Sequence, residues 1–353
     1  MIPIQNLYYL LVYAWDHGLK DSGLDRIHGD RCPDLNNFLA VALLESTTKQ
    51  IQRGLDRSYV NFAEDTSRIR GKINFSESIK RLTHLQGRLH CEFDEFSRDI
   101  LHNRILKTCL ERLSRDPHVH SRTRNELTGL LDHFWDVSTI RIQRQMFQRL
   151  RLPRHSKSYQ FLMHICELVH SSLLPEKTAS GRLRFHDFLQ DEVAMRMIFE
   201  KFVFNFSKRH FPEAEVSAMQ IRWDRETHDL ETERLIPVMK TDVTLAWPDR
   251  KVILDCKYYQ NALVKGQHGG TRFQTSNLYQ LHSYLINQAV HPDWNDVEGI
   301  LLYPSNGYSL NHEFTLHGKH RVQVLTLDLQ QPWQQIEEDL ISLLKSESVG
   351  ASL

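Results

Sequence analysis

The residues whose types and spacing best suit chemistry are Asp242, Asp255 and Lys257. They lie in Met239-Lys240-Thr241-Asp242-Val243-Thr244-Leu245-Ala246-Trp247-Pro248-Asp249-Arg250-Lys251-Val252-Ile253-Leu254-Asp255-Cys256-Lys257, two β-rich runs around a Trp-Pro-Asp-Arg reversal. Proline at the second turn position fixes φ for a tight turn. Pairing Trp247 with Arg250 sets a register in which Asp242 stands opposite Asp255 on one face, with Cβ atoms about 5 Å apart. Lys257, two residues further, points to the same face. Two carboxylates that close repel unless a cation lies between them, and Val252-Ile253-Leu254 marks the strand as buried. Oxygen-only ligands suit Mg²⁺ or Mn²⁺, with positions left for water and a phosphate. A lysine beside such an ion orients attacking water or neutralises developing charge. These parts fit metal-assisted phosphodiester hydrolysis. The competing reading is an ordinary hairpin with a cross-strand salt bridge. A lone D-x-K is common, but D-x₁₂-D-x-K with its carboxylates in register favours the site.

A second group follows. Ser276 suits the N-cap of a helix beginning Asn277-Leu278-Tyr279-Gln280-Leu281-His282-Ser283-Tyr284-Leu285. Gln280 and Tyr284 are four apart and share a helix face, where an amide and a phenol can hydrogen-bond a catalytic lysine or a DNA phosphate. By itself such a pair is more often amphipathic surface.

The elements that must position these residues divide the chain. Its 353 residues exceed one ordinary domain, and a formal charge of +0 from 44 basic and 44 acidic residues gives no global pull toward nucleic acid or membrane. Helical periodicity over Asn37 to Gln52, with Gly54 as a stop, precedes short strands at Tyr59–Phe62, Gly71–Phe75 and Arg88–Phe93 and helices near 103–114 and 121–134. Val137 to Ile165 lacks acids while carrying Arg141, Arg144, Arg149, Arg151, Arg154 and Lys157, and this charge shift suggests a boundary near 155. Helices near 159–174 and 190–209 lead into β-like runs at 238–247, 251–258, 299–303 and 322–329. A mixed sheet flanked by helices is the natural packing for that order. The uncharged opening, Met1 to Trp15, is shorter than a bilayer span and lacks a signal-peptide pattern, so it reads as a buried aromatic helix. Five cysteines without a CxxC pair fit a reducing cytoplasm and no membrane.

D-x₁₂-D-x-K followed by Q-x-x-x-Y resembles the RecB-like branch of the PD-(D/E)XK nucleases. The opening Ile2-Pro3-Ile4-Gln5-Asn6-Leu7-Tyr8-Tyr9-Leu10-Leu11-Val12-Tyr13-Ala14-Trp15 is similar to that of the McrC family. Further matches are Arg70-Gly71-Lys72-Ile73-Asn74-Phe75, Arg184-Phe185-His186-Asp187-Phe188 and Asn277-Leu278-Tyr279-Gln280-Leu281. The similarity spans nearly the whole chain. It implies an α+β N-terminal domain, 1–155, that binds a partner, and an α/β PD-(D/E)XK endonuclease domain, 156–353. The family's members are nuclease subunits of 5-methylcytosine-specific McrBC systems and act with a hexameric AAA+ GTPase, McrB, which binds GTP, recognises the methylated double-stranded DNA and translocates it. No G-x-x-x-x-G-K-[ST] loop occurs here, so this chain is not expected to be the motor.

The resemblance further implies that Asp242 and Asp255 bind metal together with the Cys256 backbone carbonyl, that Lys257 is catalytic, and that the Cys256 side chain packs. An acid on the helix preceding the sheet commonly completes such sites. Glu192 and Glu200, eight residues apart, are candidates, although surface solvation and the helix dipole explain Glu192 equally well. The arginine-rich 141–157 run, the loop of Lys265, Gly266, His268, Gly269, Gly270 and Arg272, and the basic set Arg68, Arg70 and Lys72 offer surfaces for DNA or partner; each also reads as solvated surface or connector. H-E-x-x-H and G-x-S-x-G are absent. A non-catalytic GTPase adaptor and a stand-alone repair nuclease are the competing functions.

Overall fold

The structure, a computed structural model, describes residues 2–15, 34–152, 156–172, 175–177, 183–185, 192–225, 229–258, 263–265, 270–305 and 307–345. His186, Asp187 and Phe188, and Gly266, His268 and Gly269, lie outside them. In chain order the elements are α1 (Ile4–Ala14), α2 (Leu35–Arg53), β1 (Ser58–Thr66), β2 (Lys72–Ile73), α3 (Phe75–Lys80), β3 (Leu89–Ser97), α4 (Leu101–Arg115), α5 (Ser121–Leu131), α6 (Arg144–Arg149), α7 (Lys157–Ser172), β4 (Pro175–Lys177) and β5 (Leu183–Phe185). There follow α8 (Glu192–His210), β6 (Glu215–Ser217), β7 (Gln220–Ile221), α9 (Leu230–Leu235), β8 (Met239–Lys240), β9 (Val243–Ala246), β10 (Lys251–Cys256), β11 (Leu263–Lys265), β12 (Thr271–Phe273), α10 (Thr275–Gln288), β13 (Glu298–Pro304), β14 (Asn311–Leu316), β15 (His320–Leu327) and α11 (Trp333–Lys345).

They form two compact units, and the first is discontinuous in sequence: Met1–Asp21 with Asp187–Leu353. Its six-stranded sheet runs β14-β15-β13-β10-β9-β6. β10, β13 and β15 are mutually parallel, while β9, β6 and β14 add antiparallel edges. Central β13, Glu-Gly-Ile-Leu-Leu-Tyr-Pro, is buried almost throughout, the continuous apolar run expected of a parallel strand covered on both faces. Gly299 lets α10 approach it, since a Cβ there would stand 2.9 Å from Leu281 Cδ2. Helix α1 belongs to this unit. Leu7, Tyr8, Leu10, Leu11, Val12 and Tyr13 are buried; Tyr13 meets Phe202 edge-on with centroids 5.8 Å apart, and Tyr9 stacks on Trp333 at 4.3 Å. Asn6 Nδ2 donates to the Leu329 and Gln331 carbonyls at 2.9 and 2.8 Å.

The second unit, Ser22–His186, carries the antiparallel sheet β1-β3-β2 and a helical cluster of α2, α4, α5 and α7. Asp34 caps α2 by accepting from Asn37 N, and Gly54 ends it at φ 97°. Gly71, at φ 58°, lies so close to β3 that a Cβ would meet Glu92 O at 2.3 Å. The glycine of Arg-Gly-Lys-Ile-Asn-Phe is thus a backbone requirement. Arg68, Arg70 and Lys72 beside it are exposed, as are Arg144 and Arg149 on α6. The boundary drawn near 155 falls inside this unit. The reason is packing: Phe161, Leu162, Ile165, Cys166 and Val169 of α7 are buried, and Tyr159 OH donates to Asn103 Oδ1 at 2.7 Å while accepting from Asp56 N. The basic run marks a surface segment leading into α7, not the end of the unit. Among the described residues no helix is long and apolar enough to cross a membrane.

Candidate acid–lysine centre

β9 and β10 pair as Ala246↔Lys251 through Val243↔Leu254, and Trp247 N donates to Arg250 O at 2.8 Å to close the turn. This is the register that opposes Asp242 to Asp255. The ladder nevertheless stops one pair earlier than a continuous 238–247 strand requires. Thr241 turns the chain between β8 and β9, its Oγ1 taking the Met219 N–H at 2.8 Å and meeting Thr244 Oγ1 at 2.9 Å. Freed from the ladder, Asp242 accepts the Cys256 N–H on Oδ2 at 2.8 Å, so its carboxylate caps the end of β10.

Asp255 is fully buried. Lys257 Nζ pairs with its Oδ2 at 2.9 Å. Burial raises its pKa to about 7, helped by the Asp242 and Glu200 charges and opposed by the Lys257 ammonium. Asp242 shifts the same way, through burial, against the Cys256 amide, Lys257 and Arg196. Glu200, on α8, is pushed up to about 6 by burial and by Asp242. Glu192 lies exposed at the start of α8 and raises the Tyr258 phenol through its charge, second to burial. Glu200 rather than Glu192 therefore stands as the helix acid beside the pair. Burial, then the Asp242 and Asp255 charges, push the Cys256 thiol far up, so its side chain stays neutral.

Lys257 is held at both ends. Its N–H donates to Leu302 O on the neighbouring parallel strand at 2.9 Å, and its Nζ donates to Gln280 Oε1 at 2.8 Å. Gln280 Nε2 donates to Tyr284 OH at 2.6 Å, and Tyr284 OH donates to Lys240 O at 2.9 Å. The chain of bonds starts at the lysine and ends two residues before Asp242. Helix α10 begins one residue before Ser276, at Thr275 behind Gln274, so Ser276 sits in the first turn and is not the cap. The 3.6-residue period, not the cap, aims Gln280 and Tyr284 inward.

Two partners escaped sequence reading. Arg196 pairs with Glu200 at 3.4 Å, and its charge also reaches Asp242; its spacing four residues before Glu200 was the available signal. The Lys240 carbonyl carries no side-chain signal at all.

Among the described residues no three His, Cys, Asp or Glu side chains converge closely enough to hold a metal ion by themselves. Glu200 is near enough to act through its charge but does not complete such a cluster. The two aspartates still fit a hard divalent cation, because Asp255 is fully buried beside a second acid whose charge raises its pKa. Further ligands would come from backbone, such as the Cys256 carbonyl, and from solvent.

The fold and centre define a mixed α/β protein with an acid pair, Asp255 of it fully buried, and a tethered lysine on a mixed sheet. The sequence matches the family described as McrBC 5-methylcytosine restriction system component over residues 4–304, and the chain belongs to that family. It is 28% identical over 345 residues to the Type IV methyl-directed restriction enzyme EcoKMcrBC of Escherichia coli (strain K12), covering 97% of each chain. Its fold is similar, with TM-score 0.55 and 19% identity, to a chain of the refined half-complex of Thermococcus gammatolerans McrB AAA+ hexamers with bound McrC, over 97% of this chain and 75% of that one.

Proposed function

We propose that this chain is the DNA-cleaving, McrC-like subunit of a modification-dependent restriction complex, with a PD-(D/E)XK endonuclease centre in its discontinuous unit. The observation that carries the reading is Asp255: a fully buried carboxylate, opposite a second aspartate and paired with the Lys257 ammonium at 2.9 Å. The same ammonium reaches Asp255 Oδ2 at 2.9 Å and Gln280 Oε1 at 2.8 Å, so the lysine is held beside the two acids. Asp242, Asp255 and the Cys256 carbonyl would hold Mg²⁺, with Mn²⁺ as substitute and Glu200 as an outlying acid. When bound, the ion supplies charge neutralisation for the acids and Lewis acidity at the scissile phosphate.

The chain's own groups do the rest. Lys257, fixed by Gln280, presents an ammonium where negative charge grows as water adds to phosphorus and the ester oxygen leaves. Gln280 occupies one lysine direction, and Tyr284 locks the amide by donating to Lys240 O. That relay sets the distance between the lysine and the segment carrying Asp242. The apolar packing of β10 and β13 keeps water away from the rear of the pair.

Family membership supports an AAA+ partner. The Thermococcus complex is McrC bound to McrB hexamers, and we assign this chain a McrB-like hexameric GTPase that binds GTP, with cytoplasmic double-stranded DNA carrying 5-methylcytosine as substrate. The test is reconstitution with a candidate GTPase and Mg²⁺ on methylated and unmethylated duplexes. GTP-dependent cutting confined to methylated DNA is the expected result; cutting by this chain alone, indifferent to GTP and methylation, would establish a stand-alone nuclease instead.

A further inference from the structure

His282 on α10 and His317 in the turn between β14 and β15 face each other with Nε2 atoms 2.7 Å apart, at an exposed contact. Their ring centroids lie 5.0 Å apart and the planes incline by 38°. The turn is Leu316-His317-Gly318-Lys319, closed by Lys319 N donating to Leu316 O at 3.0 Å. Leu316 pairs with His320, so the connection has three residues, and the first two, His317 and Gly318, have φ 52° and 64°, a left-handed backbone that normally selects Asn or Gly. A histidine there holds a left-handed backbone that is costly for a residue with a Cβ, and its ring meets His282 on α10. His282 lies between Gln280 and Tyr284 in sequence but off the face that those two turn toward Lys257.

Two neutral imidazoles in this arrangement share one proton, one Nε2 donating and the other accepting. Both lone pairs address the same point when that proton leaves. We propose that His282 and His317 form a two-imidazole binding site for a borderline divalent transition metal, Zn²⁺, Cu²⁺ or Ni²⁺, separate from the carboxylate centre. Imidazole nitrogen selects those ions, whereas carboxylate and water favour Mg²⁺ or Mn²⁺. Metal–nitrogen bonds of about 2.0–2.1 Å place two such nitrogens roughly 3 Å apart, so the rings need separate only slightly. The donating ring moves its proton from Nε2 to Nδ1, and no net proton is released from the neutral pair. Burial, then the His317 and His320 charges, hold the His282 pKa below the usual imidazole range, which favours the ligating neutral form. Among the described residues no third His, Cys, Asp or Glu completes a cluster, so solvent fills the remaining positions and the ion exchanges readily. Bound there, the metal ties α10, the helix that fixes Lys257, to the β14–β15 turn.

The test uses the tag-free, full-length chain with Mg²⁺ in excess. Substoichiometric Cu²⁺ is followed by pulsed electron paramagnetic resonance, and Zn²⁺ by calorimetry. Two equatorial imidazole nitrogens are expected in the wild type, a signature that an oxygen-only centre cannot give. His317→Asn keeps a residue that accepts the left-handed turn, and His282→Gln keeps the helix; circular dichroism without metal checks that both fold. Each should remove the two-imidazole signal and weaken Zn²⁺ binding by about tenfold or more, comparable to or above the loss from altering a ligand's outer support. A one-imidazole signal that is the same in wild type and variants, or unchanged affinity in His282→Gln, would overturn the proposal and mark the binding as adventitious.

Discussion

At the residue scale, the centre is a conflict between burial and charge. Asp255 is an acid that, without a cation, prefers its proton: its folded pKa of about 7 lies above the unfolded aspartate value. Between about pH 4 and 7 the native chain therefore binds more protons than the unfolded one, so this group's contribution to stability falls as pH rises through that window. We expect metal-free protein to lose stability, by up to a few kcal/mol, between pH 5 and 7.5 in chemical denaturation. Asp255→Asn should flatten the slope, and Mg²⁺ should offset it in the wild type only. A slope equal in both proteins contradicts the assignment. The lysine tether gives a second expectation. Gln280→Ala removes the Nζ acceptor without touching a carboxylate, and should lower cleavage about 100-fold through misplacement of the ammonium, while Gln280→Glu, which keeps an acceptor, retains more activity. Steady-state cleavage rates decide it; an Ala variant as fast as wild type would make the relay structural only. Asp242, Asp255 and Lys257 were all legible in the sequence, because a Pro-containing reversal fixes register and period-2 alternation fixes the face. What was not legible is how Asp242 works, leaving the ladder to cap Cys256 N. That depends on Thr241, whose partners Met219 and Thr244 come together only in the fold.

At the element scale, long periodic segments declared themselves and irregular ones did not. α2, α4, α7 and α8 follow their apolar spacing to within a few residues at each end. The Gly71–Phe75 run does not: only Lys72 and Ile73 pair with β3, and Asn74 then caps α3 by accepting from Glu77 N. A five-residue pattern holds both readings, and the asparagine decides. The larger surprise is α1. Its aromatic run was legible as a buried helix, but its destination was not, since nothing local says that residues 4–14 pack against α8 some 190 positions later. The consequence is testable. A 156–353 fragment lacks Tyr13 over Phe202 and Phe206 and should aggregate. By contrast, a chain in which 22–186 is replaced by a flexible linker of about 10 residues keeps α1 and should be soluble and monomeric. Size-exclusion chromatography and thermal melts compare the two; a cooperative, monomeric 156–353 fragment would show that α1 is dispensable. Phe202→Ala in the full chain should cost about 3–5 kcal/mol on the same packing argument.

At the scale of the whole molecule, one unit is inserted into the other between α1 and α8, and the acid–lysine centre lies wholly in the outer, discontinuous unit. Under the proposed division of labour, the inserted unit carries the docking surface for the GTPase. Removing 22–186 should therefore abolish stimulation of partner GTP turnover, and stimulation at the full-length level by the linker-replaced chain would move docking to the outer unit. The most direct test of the central claim is single-turnover cleavage of methylated DNA by the reconstituted complex, with partner GTP turnover recorded in the same samples, for wild type and Asp255→Asn. The account predicts that the variant stimulates GTP turnover like the wild type yet leaves the DNA uncut at any Mg²⁺ concentration. Wild-type cutting by Asp255→Asn would contradict it, because the carboxylate pair would then not be where the phosphodiester is broken.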